Sequence, residues 1–136
     1  MSTILQIANN DRNLGLFTKG LKLSGLEAKL NEMGPFTILG PVNLALGKLL
    51  ALTYEQLLDP SNTSKLVAFL SGYILVGKKM FSDFRNDQQL AALDGTMVLV
   101  SNKNSEIHLN GAKVLAHDRQ GSNGVVHLLN TTYANK

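Results

Sequence analysis

The dipeptide Asn110-Gly111 dictates a tight β-hairpin. A two-residue type I′ turn needs positive φ at both central positions, and asparagine and glycine tolerate it best. Glu106 to Leu109 leads into the turn and Ala112 to Ala116 pairs back from it. Asn123-Gly124 makes another turn, followed by the strand Val125 to Leu129. Upstream, Asp94-Gly95 precedes a strand over Thr96 to Val100, and the extended run Tyr73 to Val76 ends at Gly77. The second half of the chain therefore reads as β-structure.

The first half has a different period. Leu14, Phe17 and Leu21 recur at helical spacing, with Arg12 and Lys19 on the wet face and Gly20 and Gly25 as punctuation. Ser24 to Glu27 has the form of a capping box, as does Thr53 to Gln56. Leu26, Leu30 and Met33 form the next apolar stripe, stopped by Gly34-Pro35. Phe36 to Leu39 reads as a short buried strand ended by Pro41, and Asn43 as the N-cap of a helix carrying Leu46, Leu49 and Leu50. Leu57-Leu58 is stopped at Asp59-Pro60, and Ser61 or Asn62 caps a helix carrying Leu66, Phe69, Leu70 and Tyr73. Helices first and strands later make the class α+β. With 136 residues, no linker and no internal repeat, residues 1–136 read as one domain.

Composition removes several kinds of chemistry. Cysteine is absent, which excludes disulfides, thiol nucleophiles and cysteine-ligated metals. The net charge is +3, yet no basic run exceeds Lys78-Lys79 and there is no tryptophan, so a nucleic-acid partner is not expected. No apolar run approaches the roughly 18 residues of a membrane span. The start, Met1 to Asn13, does not read as a signal peptide, since it lacks a basic beginning and Gln6 and Asn9-Asn10-Asp11 interrupt it.

Few residues look reactive. His108, His117 and His127 form no close-spaced ligand pair, so each reads as a hydrogen-bonded structural histidine. Ser82-Asp83 lacks a nucleophile-elbow motif, and Ser82 reads as a helix or turn cap. The 12 glycines make no phosphate-binding pattern, and Asp83, Asp87 and Asp94 do not fit a calcium loop. No catalytic residue, metal or cofactor is expected. Asn62-Thr63-Ser64 and Asn130-Thr131-Thr132 match the glycosylation acceptor pattern, which short sequences produce by chance.

Three segments, in order, resemble the fasciclin domain. Thr37-Ile38-Leu39-Gly40-Pro41-Val42-Asn43-Leu44-Ala45-Leu46 resembles its first box. Leu70-Ser71-Gly72-Tyr73-Ile74-Leu75-Val76-Gly77, followed by Asp83-Phe84, resembles its middle segment. Asn110-Gly111-Ala112-Lys113-Val114 and then Ser122 to Asn130 resemble its last box, the most specific part. The resemblance implies a β-wedge of two sheets packed with an N-terminal helical layer. It also implies structural roles for Thr37, Pro41, Asn43, Gly77, Asn110, Gly111, Asn123, Gly124 and His127. There are departures: Tyr73, preceded by Gly72, stands where the family has a histidine, Val42 replaces a hydroxyl residue, Asn130 an Asp, and Leu39 and Leu46 aromatics.

What the resemblance implies for function is a non-enzymatic adhesion or protein-binding module, with a protein, cell-surface or matrix partner. Extracellular, periplasmic or surface location goes with the family. The expected binding surface is the middle segment, with Tyr73, Lys78, Lys79 and Phe84, where charge adjoins apolar surface. Two other readings compete. A small-ligand carrier or enzyme requires an apolar pocket with convergent polar groups, and a self-associating structural protein requires concentration-dependent scattering.

Overall fold

The structure, a computed structural model, describes residues 2–32, 34–49 and 53–133. Helix α1, Ile4–Asn9, follows Thr3, which forms a complete capping box with Gln6. Helix α2, Gly15–Ser24, buries Phe17 and Leu21 together with the preceding Leu14, the stripe expected from their spacing. Gly25 ends α2 at φ 83°, a left-handed conformation in which glycine carries no Cβ penalty. Helix α3, Leu26–Leu30, then begins without a side-chain cap. The expected Ser24–Glu27 box does not form, because Ser24 is still helical and its hydroxyl donates back to the Leu21 carbonyl at 3.1 Å. The helix ends at Leu30, ahead of Gly34-Pro35, and Met33 lies outside the described residues.

Strand β1, Phe36–Pro41, includes Pro41 and is buried at every position. Two short helices follow, α4 at Asn43–Leu46 and α5 at Tyr54–Leu57. The Thr53–Gln56 box forms as expected, with bonds of 2.9 and 3.1 Å. Asp59 caps the turn Pro60–Asn62, and helix α6, Thr63–Ser71, follows with Asn62 at its N-cap position, as expected, though without a side-chain cap bond. Leu50 lies outside the described residues.

Asn43 departs from expectation. It is the first residue of α4, after a Val42 cap, and its side chain reaches a different helix. Its Oδ1 accepts the Leu16 N–H at 2.9 Å and its Nδ2 donates to the Arg12 carbonyl at 2.9 Å. Leu14, at the cap position of α2, makes no side-chain bond, so Asn43 satisfies a free N–H of that helix from across the chain.

The remaining strands are β2 (Ile74–Val76), β3 (Gln89–Ala91), β4 (Met97–Lys103), β5 (Glu106–Leu109), β6 (Ala112–Gly121) and β7 (Gly124–Leu129). They form a seven-stranded mixed sheet in the order β2-β1-β7-β6-β5-β4-β3. Only β1 and β7 run parallel. Strand β6 serves two partners: Ala112 and Lys113 pair with β5, and Val114 to Gly121 pair with β7. Register shifts at Val114/Ala116 and Ala116/Arg119 bend it between them, as bulges do. The bend brings the two ends of the sheet together, where Leu75 bridges Ala92 and the Leu93 N–H donates to the Ile74 carbonyl at 2.9 Å. The result is an α+β wedge, nearly closed into a barrel.

Strands β1 and β7 are buried at all positions because both sheet faces are covered. Helices lie on one face: a Cβ on Gly40 would press into Leu14. On the other face lies the segment after β2, held by Thr37 and His127. At Gly124 (φ 154°) the strands come so close that any Cβ would overlap the Phe36 carbonyl.

The hairpin residues behave as read. Asn110 and Gly111 have φ of 48° and 84°, and Asn110 Oδ1 also accepts the Leu99 N–H at 2.8 Å. Asn123 does more than turn the chain. Its Oδ1 accepts the Ile4 N–H at the start of α1 (3.0 Å), and its Nδ2 donates to the Leu30 carbonyl at the end of α3 (2.8 Å).

Candidate protein-binding surface

The middle segment splits into buried and exposed parts. Tyr73 is wholly buried. Its ring stacks on Tyr133 with centroids 4.0 Å apart, and Phe17 meets it edge-on. Its hydroxyl accepts the Tyr133 N–H at 2.8 Å, while the Tyr133 hydroxyl donates to the Gly72 carbonyl at 2.7 Å. Burial raises the Tyr73 phenol far above its usual range, with the Tyr133 N–H opposing, so it stays neutral. Phe84 is 2 % exposed and packs its ring against His127. The expectation that Tyr73 and Phe84 touch a partner is therefore corrected. Each fills a gap in the core, where a large ring buries more area than on a loop.

The lysines fare differently. Lys78 is exposed, and its ammonium donates to Gln120 Oε1 at 2.8 Å. Lys79 is half-buried and contributes mainly through its backbone: its N–H donates to Thr37 Oγ1 at 2.8 Å, and its carbonyl accepts from His127 Nε2 at 2.6 Å. Thr37 in turn donates its hydroxyl proton to the Gly77 carbonyl at 2.7 Å. Gly77 turns the chain at φ 94°, and its N–H donates to the Pro35 carbonyl. A few residues later, the Phe81 N–H donates to Asp118 Oδ1 at 2.8 Å. Residues 77–81 are thus fastened to three strands, β1, β6 and β7, by side chains of Thr37, Asp118, Gln120 and His127.

His127 is the centre of this arrangement. A carbonyl only accepts, so Nε2 carries the proton, and Nδ1 accepts the Asp118 N–H at 3.1 Å. Both nitrogens are occupied and the ring is neutral. Burial depresses its pKa below the usual 6.5, outweighing the Lys79 carbonyl and Asp118, which favour the charged form. For Asp118 burial acts the other way, but the Phe81 N–H and neighbouring histidines outweigh it and hold its carboxyl below the usual range. Asp118 sits at φ 62°, inside the bulged part of β6, which aims its carboxylate at the loop.

Three features line the outer side of this segment, with Phe81 itself half-buried. Val76 is 55 % exposed at the end of β2. Lys78 is held by Gln120. Phe81 stacks on His117, with centroids 3.8 Å apart at 17°, and His117 Nδ1 lies 3.1 Å from Asp118 Oδ2. Sequence reading missed the Phe81–His117 stack and Asp118, because no local pattern announces a contact between a turn and a bulged strand. The only sign was the polar run His117 to Gln120, which breaks the alternation of a strand.

Other candidates take ordinary places. Ser82 is exposed in the turn Phe81–Asp83, and it is Asp83, not Ser82, whose carboxylate accepts the Met80 N–H at 2.8 Å. His108 pairs across the sheet with Ser101 and Lys113. No group of three His, Asp or Glu side chains placed to hold a metal occurs among the described residues. No helix among them is long and apolar enough to cross a membrane.

Comparison with known proteins places these features in context. The Fasciclin domain family model matches residues 12–132. Protein sll1483 of Synechocystis sp. is 32% identical over 127 residues, covering 93% of this chain and 70% of that protein. The transforming growth factor-beta-induced protein ig-h3 of Sus scrofa is 28% identical over 131 residues, and the match spans 19% of its length. Among solved structures, a domain pair from the insect cell adhesion molecule Fasciclin I matches with a TM-score of 0.72 at 18% identity, covering 96% of this chain and 50% of that one.

Proposed function

The chain belongs to the fasciclin domain family, and on that premise we propose that it is a non-enzymatic adhesion module, one domain over residues 1–136, that binds a protein at a cell surface or in the extracellular space. Its contact surface is the rim made by Val76, Lys78 and the Phe81–His117 stack. The observation that carries this reading is the fastening of residues 77–81 by Thr37, Asp118, Gln120 and His127. A loop already fixed in its bound shape avoids an ordering cost of about 0.5–1.5 kcal/mol for each side chain that would otherwise be immobilised. An apolar centre with a charged edge is also the usual layout of a protein contact.

An enzymatic reading has little to work with here. Both nitrogens of His127 are bonded to backbone, so this buried histidine is not free to act as a base. The relatives lend the adhesion reading support by analogy, since one similar structure comes from a cell adhesion molecule. The test is attachment of cells of the source organism to the immobilised protein. Val76→Asp with Lys78→Glu should lower attachment at least about tenfold, the loss of roughly 1.4 kcal/mol, with an unchanged melting temperature. Equal attachment by the variant, or none by the natural protein, rejects the proposal.

A further inference from the structure

A second recognition feature lies on the helical side of the sheet, away from the rim. Ser2, Ile7, Asn10, Asp11, Arg12 and Arg119 line an open depression of about 420 Å³. Asp11 is built into its wall. Its side chain is only 8 % exposed, Oδ1 accepts the Asn13 N–H at 2.9 Å, and Oδ2 pairs with Nη1 of Arg119. The pair fixes a guanidinium that would otherwise swing freely from β6. Arg119 keeps further N–H groups beyond the one that Asp11 takes, because a guanidinium has five.

The charge balance singles out the ligand. Asp11 neutralises one of the two arginines, so the side chains that line the depression carry a single net positive charge. Arg12 supplies it, and Arg12 has no acidic partner among the described residues. We infer that this depression binds one carboxylate, that of an acidic side chain on a peptide. A singly charged planar carboxylate matches one net charge and the flat donor edges of two guanidinium groups. A dianionic phosphate would leave a charge uncompensated beside the Asp11 carboxylate. A neutral sugar finds no aromatic wall on which to stack. Asn10 and Ser2 add neutral hydrogen-bonding groups to the lining, and Ile7 adds apolar surface for the methylenes of the acidic side chain.

The experiment uses a blocked peptide, acetyl-Gly-Glu-Gly-amide, whose only charge is the carboxylate, titrated into ¹⁵N-labelled protein at constant ionic strength. The expected result is saturable shifts of the Asn10, Arg12 and Arg119 amides, absent with acetyl-Gly-Gln-Gly-amide. Arg12→Gln should weaken binding about tenfold, the scale of one charge-assisted contact. The Arg12 side chain is exposed, so this variant keeps the fold, and its unchanged spectrum elsewhere checks that. Equal shifts from the two peptides, undiminished binding by Arg12→Gln, or tighter binding of inorganic phosphate than of the glutamate peptide would each overturn the inference.

Discussion

His127 shows how much one buried polar side chain can organise. It joins β7 to Lys79 on one side and to Asp118 on the other, through bonds of 2.6 and 3.1 Å. His127→Ala removes both bonds and leaves a cavity beside Phe84, so it should destabilise the protein by ~3 kcal/mol in urea melts. The pH dependence follows from the same geometry. The folded pKa of His127 is depressed, so as pH falls the unfolded chain takes up the proton first. Its contribution to stability is complete above about pH 6.5 and is lost as pH falls from there through the lower folded value. Asp118, also depressed, adds a loss in the same direction, but only in the more acid range below the ordinary aspartate value of 3.8. Melting temperature against pH should therefore fall below about pH 6.5 in the natural protein and fall less in His127→Gln. Asn43 carries the lesson about reading residues. That it caps a helix was legible from its type and its place after Pro41. Which helix it caps was not, because the partner, Leu16, lies 27 residues away and only the packed fold brings them together. Asn43→Ala should still cost about 1 kcal/mol, now by fraying α2 rather than α4, which amide exchange at Leu16 distinguishes.

At the scale of elements, turn chemistry was the most legible signal. Asn110-Gly111 and Asn123-Gly124 fell where strands reverse, and β5 and the core of β7 followed from them. Helix α1 was not read, since Gln6 and the asparagines that broke its apolar run are its capping and terminal residues. The second half of β6 was missed for a related reason. His117 to Gln120 do not alternate, because the bulges that re-aim Asp118 disrupt the pleat. Strand β3 was also missed, a three-residue element defined by its pairing with β4 rather than by its own composition. Glycines separate turn strain from close approach. Gly25 has φ 83° with open space where a Cβ would go, so Gly25→Ala should cost about 1 kcal/mol of backbone strain. Gly124 has its Cβ direction blocked by the Phe36 carbonyl, so Gly124→Ala must push β1 and β7 apart, at ~3 kcal/mol or more. Denaturant midpoints of the two variants, measured side by side, check the ranking, and equal losses would contradict it.

The whole molecule is a sheet bent at β6, covered by helices on one face and by the segment after β2 on the other. The α+β class and the family were legible from periodicity and from the three boxes. The strand order and the closure of Leu75 on Ala92 were not, because both depend on contacts far apart in sequence. For the same reason the expected surface mixed core and rim. Tyr73 and Phe84 adjoin Lys78 and Lys79 in sequence, but the fold turns the rings inward and leaves Val76 and His117 outside, with Phe81 half-buried against His117. The account rests on the rim being held in shape from beneath, and Thr37 allows that to be tested without touching the surface. Thr37 is wholly buried, and Thr37→Val removes its bonds to Gly77 and Lys79 while changing no exposed atom. The decisive measurement is cell attachment by this variant, at a temperature where it remains folded, alongside amide exchange at Lys79. The account predicts faster exchange at Lys79 and attachment reduced several-fold. A loosened loop with attachment equal to the natural protein would contradict it.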